Sequence, residues 1–390
     1  MRRKFRIIVG MLLLAIPLCM NAQVKPTKPE KEQPKAKVEA IEKEKAEKGE
    51  KAEKGKSGSE KLRISGFVQG MYQADLSDKG KLEDNTFRMR RVRLSVDGKL
   101  SPKISYKVQG DFVNTPMIVD AFVKYQACDA FAVQVGQFKT PFTIESPINP
   151  VNLEIFDYGE IIQKLGGYND VCGVGGLGRD IGVMATGKFF PIKKNDQTDY
   201  HIVEYSVGVF NGNGPVNFKK NEKGLDNNNR KDIVGRLEVH PGLKAMTLSG
   251  SYYNGKYTKD DNVNCTRNRW AAGAQYNDGK LVIRGEYVGG ETGKWTELEE
   301  NSLYNSNGYY AQAGYNFSLG KDKNQTLMPV LRYEHFTAND AVEKGGTNWY
   351  TVGLNYWPLK SVNFKLDYSL VQEESGTNSH RVVGILSYKF

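Results

Sequence analysis

From Lys61 to the C terminus the chain repeatedly alternates apolar and polar residues at period two. The clearest stretch sets Val362, Phe364, Leu366, Tyr368 and Leu370 on one face and Asn363, Lys365, Asp367 and Ser369 on the other. Alternation of this kind describes a strand with one face buried in something apolar. Sixteen such segments can be marked, beginning near Leu62, Phe87, Ile104, Met117, Phe131, Ile181, Ile202, Ile233, Met246, Trp270, Leu281, Tyr309, Leu327, Tyr350, Val362 and Arg381. Each approaches the ~9–11 residues that a tilted strand needs to cross a bilayer. In a soluble sandwich the apolar faces would meet a second sheet; in a barrel they would meet lipid.

The connections separate these two outcomes. If the first strand starts in the periplasm, every second connection is periplasmic and short, and the others are external and free to be long. Asp97–Pro102, Ala127–Ala130, His240–Ala245, Asn277–Lys280 and Trp357–Ser361 are tight and rich in turn residues. Pro191–Tyr200 and Ser318–Gln325 are expected to be longer connections on the same side. The alternate connections include Asp75–Asn85, Lys139–Gly178, Asn211–Lys231, Gly255–Thr266 and Gly289–Ser306. A sandwich has no reason to alternate long with short. The reading is therefore all-β, a 16-stranded antiparallel transmembrane β-barrel over residues 61–390.

Composition agrees with this reading. Mean hydropathy is −0.55, with 41 Gly, 21 Tyr and 17 Phe, as a barrel requires when every second residue faces water. Beyond the N terminus there is no apolar run of the ~18 or more residues that a membrane helix needs. The last strand carries Val382, Gly384, Leu386, Tyr388 and the terminal Phe390 on one face, similar to the signal by which the outer-membrane insertion machinery selects barrels. Both termini on one side require an even strand number.

At the start, Arg2, Arg3, Lys4 and Arg6 precede the apolar run Ile7–Leu18, and Ala22 ends the pattern of a secretory signal peptide over residues 1–22. Cys19 lacks the small residue before it that lipidation would need. Residues 23–60 hold 11 Lys and 9 Glu with almost nothing to bury, a composition expected to give a disordered periplasmic tail. Removing the signal lowers the formal charge from +10 to +6, too little over this length to argue for nucleic acid. Cys128, Cys172 and Cys265 are odd in number and widely spaced, which fits neither a disulfide framework nor a metal site.

The segment Lys139–Gly178 is about 40 residues of connection in an otherwise even β pattern, and such loops are usually functional or disordered; this one is read as a loop folded into a pore. Its apolar residues, among them Phe142, Leu153, Ile155, Phe156, Ile161, Ile162 and Leu165, give it something to pack against a wall. Its carboxylates Glu145, Glu154, Asp157, Glu160 and Asp170 are then expected to project into a lumen.

At this point the chain resembles the phosphate-selective porin O/P family of bacterial outer-membrane porins. The resemblance is carried by Phe87-Arg-Met-Arg-Arg-Val-Arg-Leu, Gly136-Gln-Phe-Lys-Thr-Pro-Phe, Arg179-Asp-Ile-Gly-Val and Asn211-Gly-Asn-Gly-Pro. It implies a trimeric 16-stranded barrel in outer-membrane lipid that passes small hydrophilic solutes or inorganic anions by diffusion. It also implies an inward-folded third external loop as constriction, the position held here by Lys139–Gly178.

Selectivity is set by what lines the pore, and strand parity gives a lining. On the second strand Val92, Leu94 and Val96 face lipid, so Arg91, Arg93 and Asp97 face inward. The same argument places Lys107, Asp111, Asp120, Lys124, Glu204, Arg236, Glu238, Arg284, Glu286, Arg332, Glu334, Lys365 and Asp367 inside. Basic and acidic groups balance, which favours a general porin with a transverse field between wall arginines and loop carboxylates. The alternatives are a phosphate- or anion-selective channel, neutralisation of the charges in pairs, and a surface structural or adhesion barrel with a closed lumen.

Other motifs are set aside. Gly173-Val-Gly-Gly-Leu-Gly178 has the letters of a dinucleotide fingerprint but lacks the strand before and the helix after it, so its glycines are read as turn residues. His201, His240, His335 and His380 have no metal-ligand spacing, and there is no Gly-x-Ser-x-Gly elbow. No cofactor and no catalysis are expected. Tyr252, Tyr253, Trp270, Tyr309, Tyr310, Trp349, Tyr350, Tyr356 and Trp357 near strand ends are read as an interfacial girdle, with carbohydrate stacking as the alternative.

Overall fold

The computed structural model describes residues 62–390 except 114–115, 196, 216–229, 259–263, 295–301, 321 and 323. The expected signal peptide at 1–22 and tail at 23–60 lie outside the described residues. The strands are β1 (Arg63–Ser77), β2 (Leu82–Ser101), β3 (Ile104–Asp111), β4 (Met117–Cys128), β5 (Phe131–Lys139), β6 (Arg179–Lys194), β7 (Gln197–Phe210), β8 (Asp232–Val239) and β9 (Met246–Thr258). They continue with β10 (Asn264–Asn277), β11 (Leu281–Lys294), β12 (Ser302–Tyr315), β13 (Phe317–Leu319), β14 (Gln325–Thr337), β15 (Gly346–Leu359), β16 (Val362–Glu373) and β17 (Asn378–Lys389). β13 continues β12 past Asn316, and both pair with β14, so the 17 segments make 16 staves. Each stave pairs antiparallel with the next, and β1 pairs with both β2 and β17, which closes the sheet.

Closure gives the sheet an inside and an outside, and the period-two pattern assigns them. Leu331, Val352, Leu354, Leu366 and Tyr368 are 43–61% exposed on the outer face. Gln69, Arg284, Arg332, Asn355, Lys365 and Asp367, of opposite parity, are buried. An apolar band outside and a polar interior invert the order of a soluble protein, and lipid is the surrounding that makes such a band stable. None of the described helices is long and apolar enough to cross a membrane, so the crossing is made by strands.

Strands extend beyond the apolar band, up to 20 residues in β2. The expected long connections Asp75–Asn85 and Pro191–Tyr200 are consequently mostly ladder: β1 runs to Ser77 and β2 starts at Leu82, while β6 runs to Lys194 and β7 starts at Gln197. Apolar periodicity reports only the membrane-crossing part of a strand, whereas backbone pairing continues into water with polar side chains. The aromatic pairs split in the same way. Tyr252, Tyr309 and Tyr350 are exposed on the outer face, but their neighbours Tyr253 and Tyr310 are buried, and Trp349 shares the parity of the buried Thr351 and Asn355. Tyr253, Tyr310 and Trp349 therefore lie on the interior parity and not in the expected girdle.

One irregularity matters for the interior. Gln69 lies opposite Arg91 and Gly70 opposite Met89, so Arg90 is an extra residue, a bulge in β2. A bulge re-aims a side chain, and here it brings Arg90 and Arg91 to the same acceptor.

Candidate functional site

The β5–β6 connection leaves at Lys139 and returns at Arg179, and its neck is closed by Thr140 N donating to Gly178 O at 3.1 Å. It contains a 3-10 turn at Pro150–Asn152 and one short helix, α1 (Glu160–Leu165). Six residues are too few for an isolated helix to persist in water. α1 is held by burial: Ile161, Ile162 and Leu165 are at most 1% exposed and pack with Leu153, Phe142, Phe210, Val288, Tyr310 and Phe336. Two smaller contacts extend this packing. Ile155 meets Val282, Met328 and Val330, and Phe156 meets Met71, Val383 and Ile385, where β1 and β17 present apolar rather than polar interior side chains.

Polar contacts fix the same segment at regular intervals. Glu154 accepts both Nη groups of Arg284 at 3.0 Å each and Gln312 Nε2 at 2.9 Å. Glu145 accepts Arg332 Nη1 at 2.5 Å and Gly159 N at 2.9 Å. Asp157 accepts Arg91 Nη2 at 2.7 Å and a shorter contact from Arg90. Asp170 accepts Arg269 Nη2 at 2.7 Å and Arg267 Nε at 3.3 Å. The wall returns the arrangement with its own carboxylates, since Glu286 accepts Ile144 N at 2.8 Å and Glu334 accepts Ile161 N at 2.5 Å. Lys365 Nζ donates to Leu153 O, and Asn355 Nδ2 donates to Glu154 O at 2.6 Å.

Gly159 shows why no larger residue fits in one place. A Cβ there would lie 1.9 Å from Arg332 Nη2 and 2.3 Å from Glu334 Oε2. Gly173 and Gly178 turn with φ of +82° and +70°, consistent with their reading as turn residues.

These contacts differ from the expected transverse field. Glu145, Glu154, Asp157 and Asp170 are 0–9% exposed and in contact ion pairs, not open across a lumen from Arg91 and Arg93. Dehydrating a carboxylate is unfavourable by several kcal/mol unless a cation and hydrogen bonds compensate it, and each of these has both. Burial pushes the carboxyls of Glu154, Asp157 and Asp170 up. The adjacent guanidiniums outweigh it, holding all three below the ordinary range, Asp170 at about 2. Glu160 is the exception, 28% exposed at its side chain and, among the described residues, ion-paired only with Lys164 at 3.7 Å.

The remaining lining candidates lie on the interior parity. Arg93 pairs with Asp111 at 2.8 Å, Lys107 with Asp120 at 3.3 Å, and Arg236 with Glu238 at 3.1 Å. Arg236 also donates to Thr143 O at 2.9 Å. Lys124 is half-buried, and among the described residues it has no ion pair. Sequence reasoning missed Arg90, hidden by the bulge, and also Arg267 and Arg269. The last two were legible, since Cys265, Arg267, Arg269 and Ala271 share one parity.

The profile of the family described as Phosphate-selective porin O and P matches residues 62–390. A search of curated proteins gives no match. Among solved structures, the anion-selective porin from Comamonas acidovorans superimposes with a TM-score of 0.61 at 13% identity, over 85% of this chain and 100% of that one. The outer membrane channel DcaP of Acinetobacter baumannii gives 0.59 at 14% identity, over 86% and 98%. OmpF of Salmonella typhi, in complex with daunomycin, gives 0.58 at 14% identity, over 85% and 98%. At these identities the likeness shows the fold alone.

Proposed function

Because this chain belongs to the phosphate-selective porin O and P family, we propose that it is a general porin whose connection 139–178 lies across the lumen as the constriction. Its class is that of a passive channel of the bacterial outer membrane. The finer statement rests on one observation: most interior cations already have a carboxylate partner. Arg90 and Arg91 share Asp157, Arg93 has Asp111, Arg267 and Arg269 share Asp170, Arg284 has Glu154, and Arg332 has Glu145. A matched wall offers an anion little unpaired charge, so solutes are sorted by size more than by sign. Lining roles for Lys107, Lys124, Arg236 and Glu160 belong to this reading, as do a homotrimer, a secretory signal at 1–22 and a periplasmic tail at 23–60. Catalysis has no part in it.

A second reading, an anion-selective channel, is favoured by Lys124, and the Comamonas relative in fold is itself an anion-selective porin. The reversal potential of the refolded protein in a KCl gradient decides between them. The general porin gives a value near zero that inorganic phosphate leaves unchanged. A strongly anion-selective current blocked by phosphate would establish the second reading.

A further inference from the structure

Between residues 155–163 and the walls formed by β14, β15 and β17 lies a cavity of about 130 Å³, lined in part by Phe156, Glu160, Gln163, Arg332, Trp349 and Arg381. We propose that this cavity is a subsite for an uncharged, hydroxyl-rich solute the size of one monosaccharide ring, an inference that rests on the channel reading above.

Size sets the first limit. A cavity of roughly 150 Å³ holds one benzene ring, so this partly open space takes one pyranose ring only with some of its hydroxyls at the opening, and a disaccharide exceeds it. Charge sets the second. Arg332 is shared between Glu145 and Glu334, and Arg381 Nε donates to Asp75 at 2.6 Å. An anion entering here would find no unmatched guanidinium and would meet the partly exposed Glu160. A cation would meet two guanidiniums.

What the lining leaves unused is hydrogen-bonding capacity. On the loop side, Glu160 has only its 3.7 Å contact with Lys164. Gln163 spends its Nε2 on Tyr158 O at 2.8 Å, which leaves its carbonyl oxygen as an acceptor. On the wall side, Arg381 keeps N–H groups beyond the one given to Asp75, and Trp349 contributes its indole ring to the lining. Acceptors on one side and donors on the other suit hydroxyl groups, which are both. Indole and phenyl rings beside such polar groups are the usual composition of a small-molecule site. Trp349 is also held in place, with the Arg381 guanidinium 5.4 Å from its ring centre.

The test is glucose added to single channels in a planar bilayer. The inference expects saturable interruptions of the current. Trp349→Ala and Glu160→Gln each raise the half-blocking concentration about tenfold, roughly one ring contact or one hydrogen bond to a charged group. Gln163→Leu removes a loop-side acceptor outside the strands and shifts block in the same direction, which guards against an alanine variant that fails to fold. A conducting protein that glucose does not block saturably, or blocks equally in wild type and all variants, overturns the inference alone. Inorganic phosphate blocking at lower concentration than glucose also overturns it. A folded protein that conducts nothing overturns the channel reading, and this inference falls with it.

Discussion

Arg284 and Glu154 illustrate what single residues do in this interior. Both side chains are nearly inaccessible, and both guanidinium branches meet the carboxylate. Deleting one member of such a pair leaves the other buried and unpaired, a loss of about 3–5 kcal/mol. Arg284→Ala is accordingly expected to loosen residues 153–157 and raise open-channel current noise, with the closed β-sheet retained by circular dichroism. Unchanged noise would mean that this pair does not hold the segment. The loop carboxylates also give a pH prediction. Glu154, Asp157 and Asp170 are held below their unfolded values, near ~4, so their stabilisation is complete above that pH. It is lost as pH falls through their folded values, about 2 for Asp170. Conductance and noise should change between about pH 4 and 2, measured by titrating both chambers. No change across that acidic interval would contradict this assignment. Parity was sufficient to place Arg91, Arg93, Arg284 and Arg332 on the interior face. It could not place Arg90, because a bulge breaks the period on which parity depends. Nor could it show which loop carboxylate Arg91, Arg284 and Arg332 meet, because those partners are 66 to 187 residues away in sequence.

At the scale of elements, the β5–β6 connection behaves as a packed layer. α1 has neither the length nor a side-chain cap to stand alone, and its apolar face supplies its stability. Ile162→Ala should therefore remove about 2–5 kcal/mol from the packing of this segment. Limited proteolysis is expected to cut within 139–178 in the variant and to spare the wild type; equal resistance would place the segment's stability elsewhere. The connection's existence and ends were legible because forty residues interrupt an even rhythm. Its anchoring was only half legible: the apolar residues announced a packed segment, but acids in a loop ordinarily face water. Burial turned them into ion-paired anchors. Strand ends misled for a related reason, since side chains at the ends of β1, β2, β6 and β7 carry no membrane pattern while their backbones still pair.

For the molecule as a whole, an exposed apolar outer band, a charged interior and a sheet that closes on itself require lipid outside and leave a route within. Sequence supplied this architecture nearly complete because lipid imposes the same period on every stave, and closure imposes an even number. How far the interior is filled could not be read, because filling depends on contacts between distant segments. The central claim is that residues 139–178 limit a route through the barrel. The neck at Thr140 and Gly178, already joined by a backbone hydrogen bond at 3.1 Å, allows residues 141–177 to be replaced by two glycines without straining β5 or β6. Single-channel conductance of that variant against wild type is the most direct measurement. An open barrel is expected in both, with conductance raised about twofold or more when the connection is removed. Equal conductance in the two proteins would contradict it.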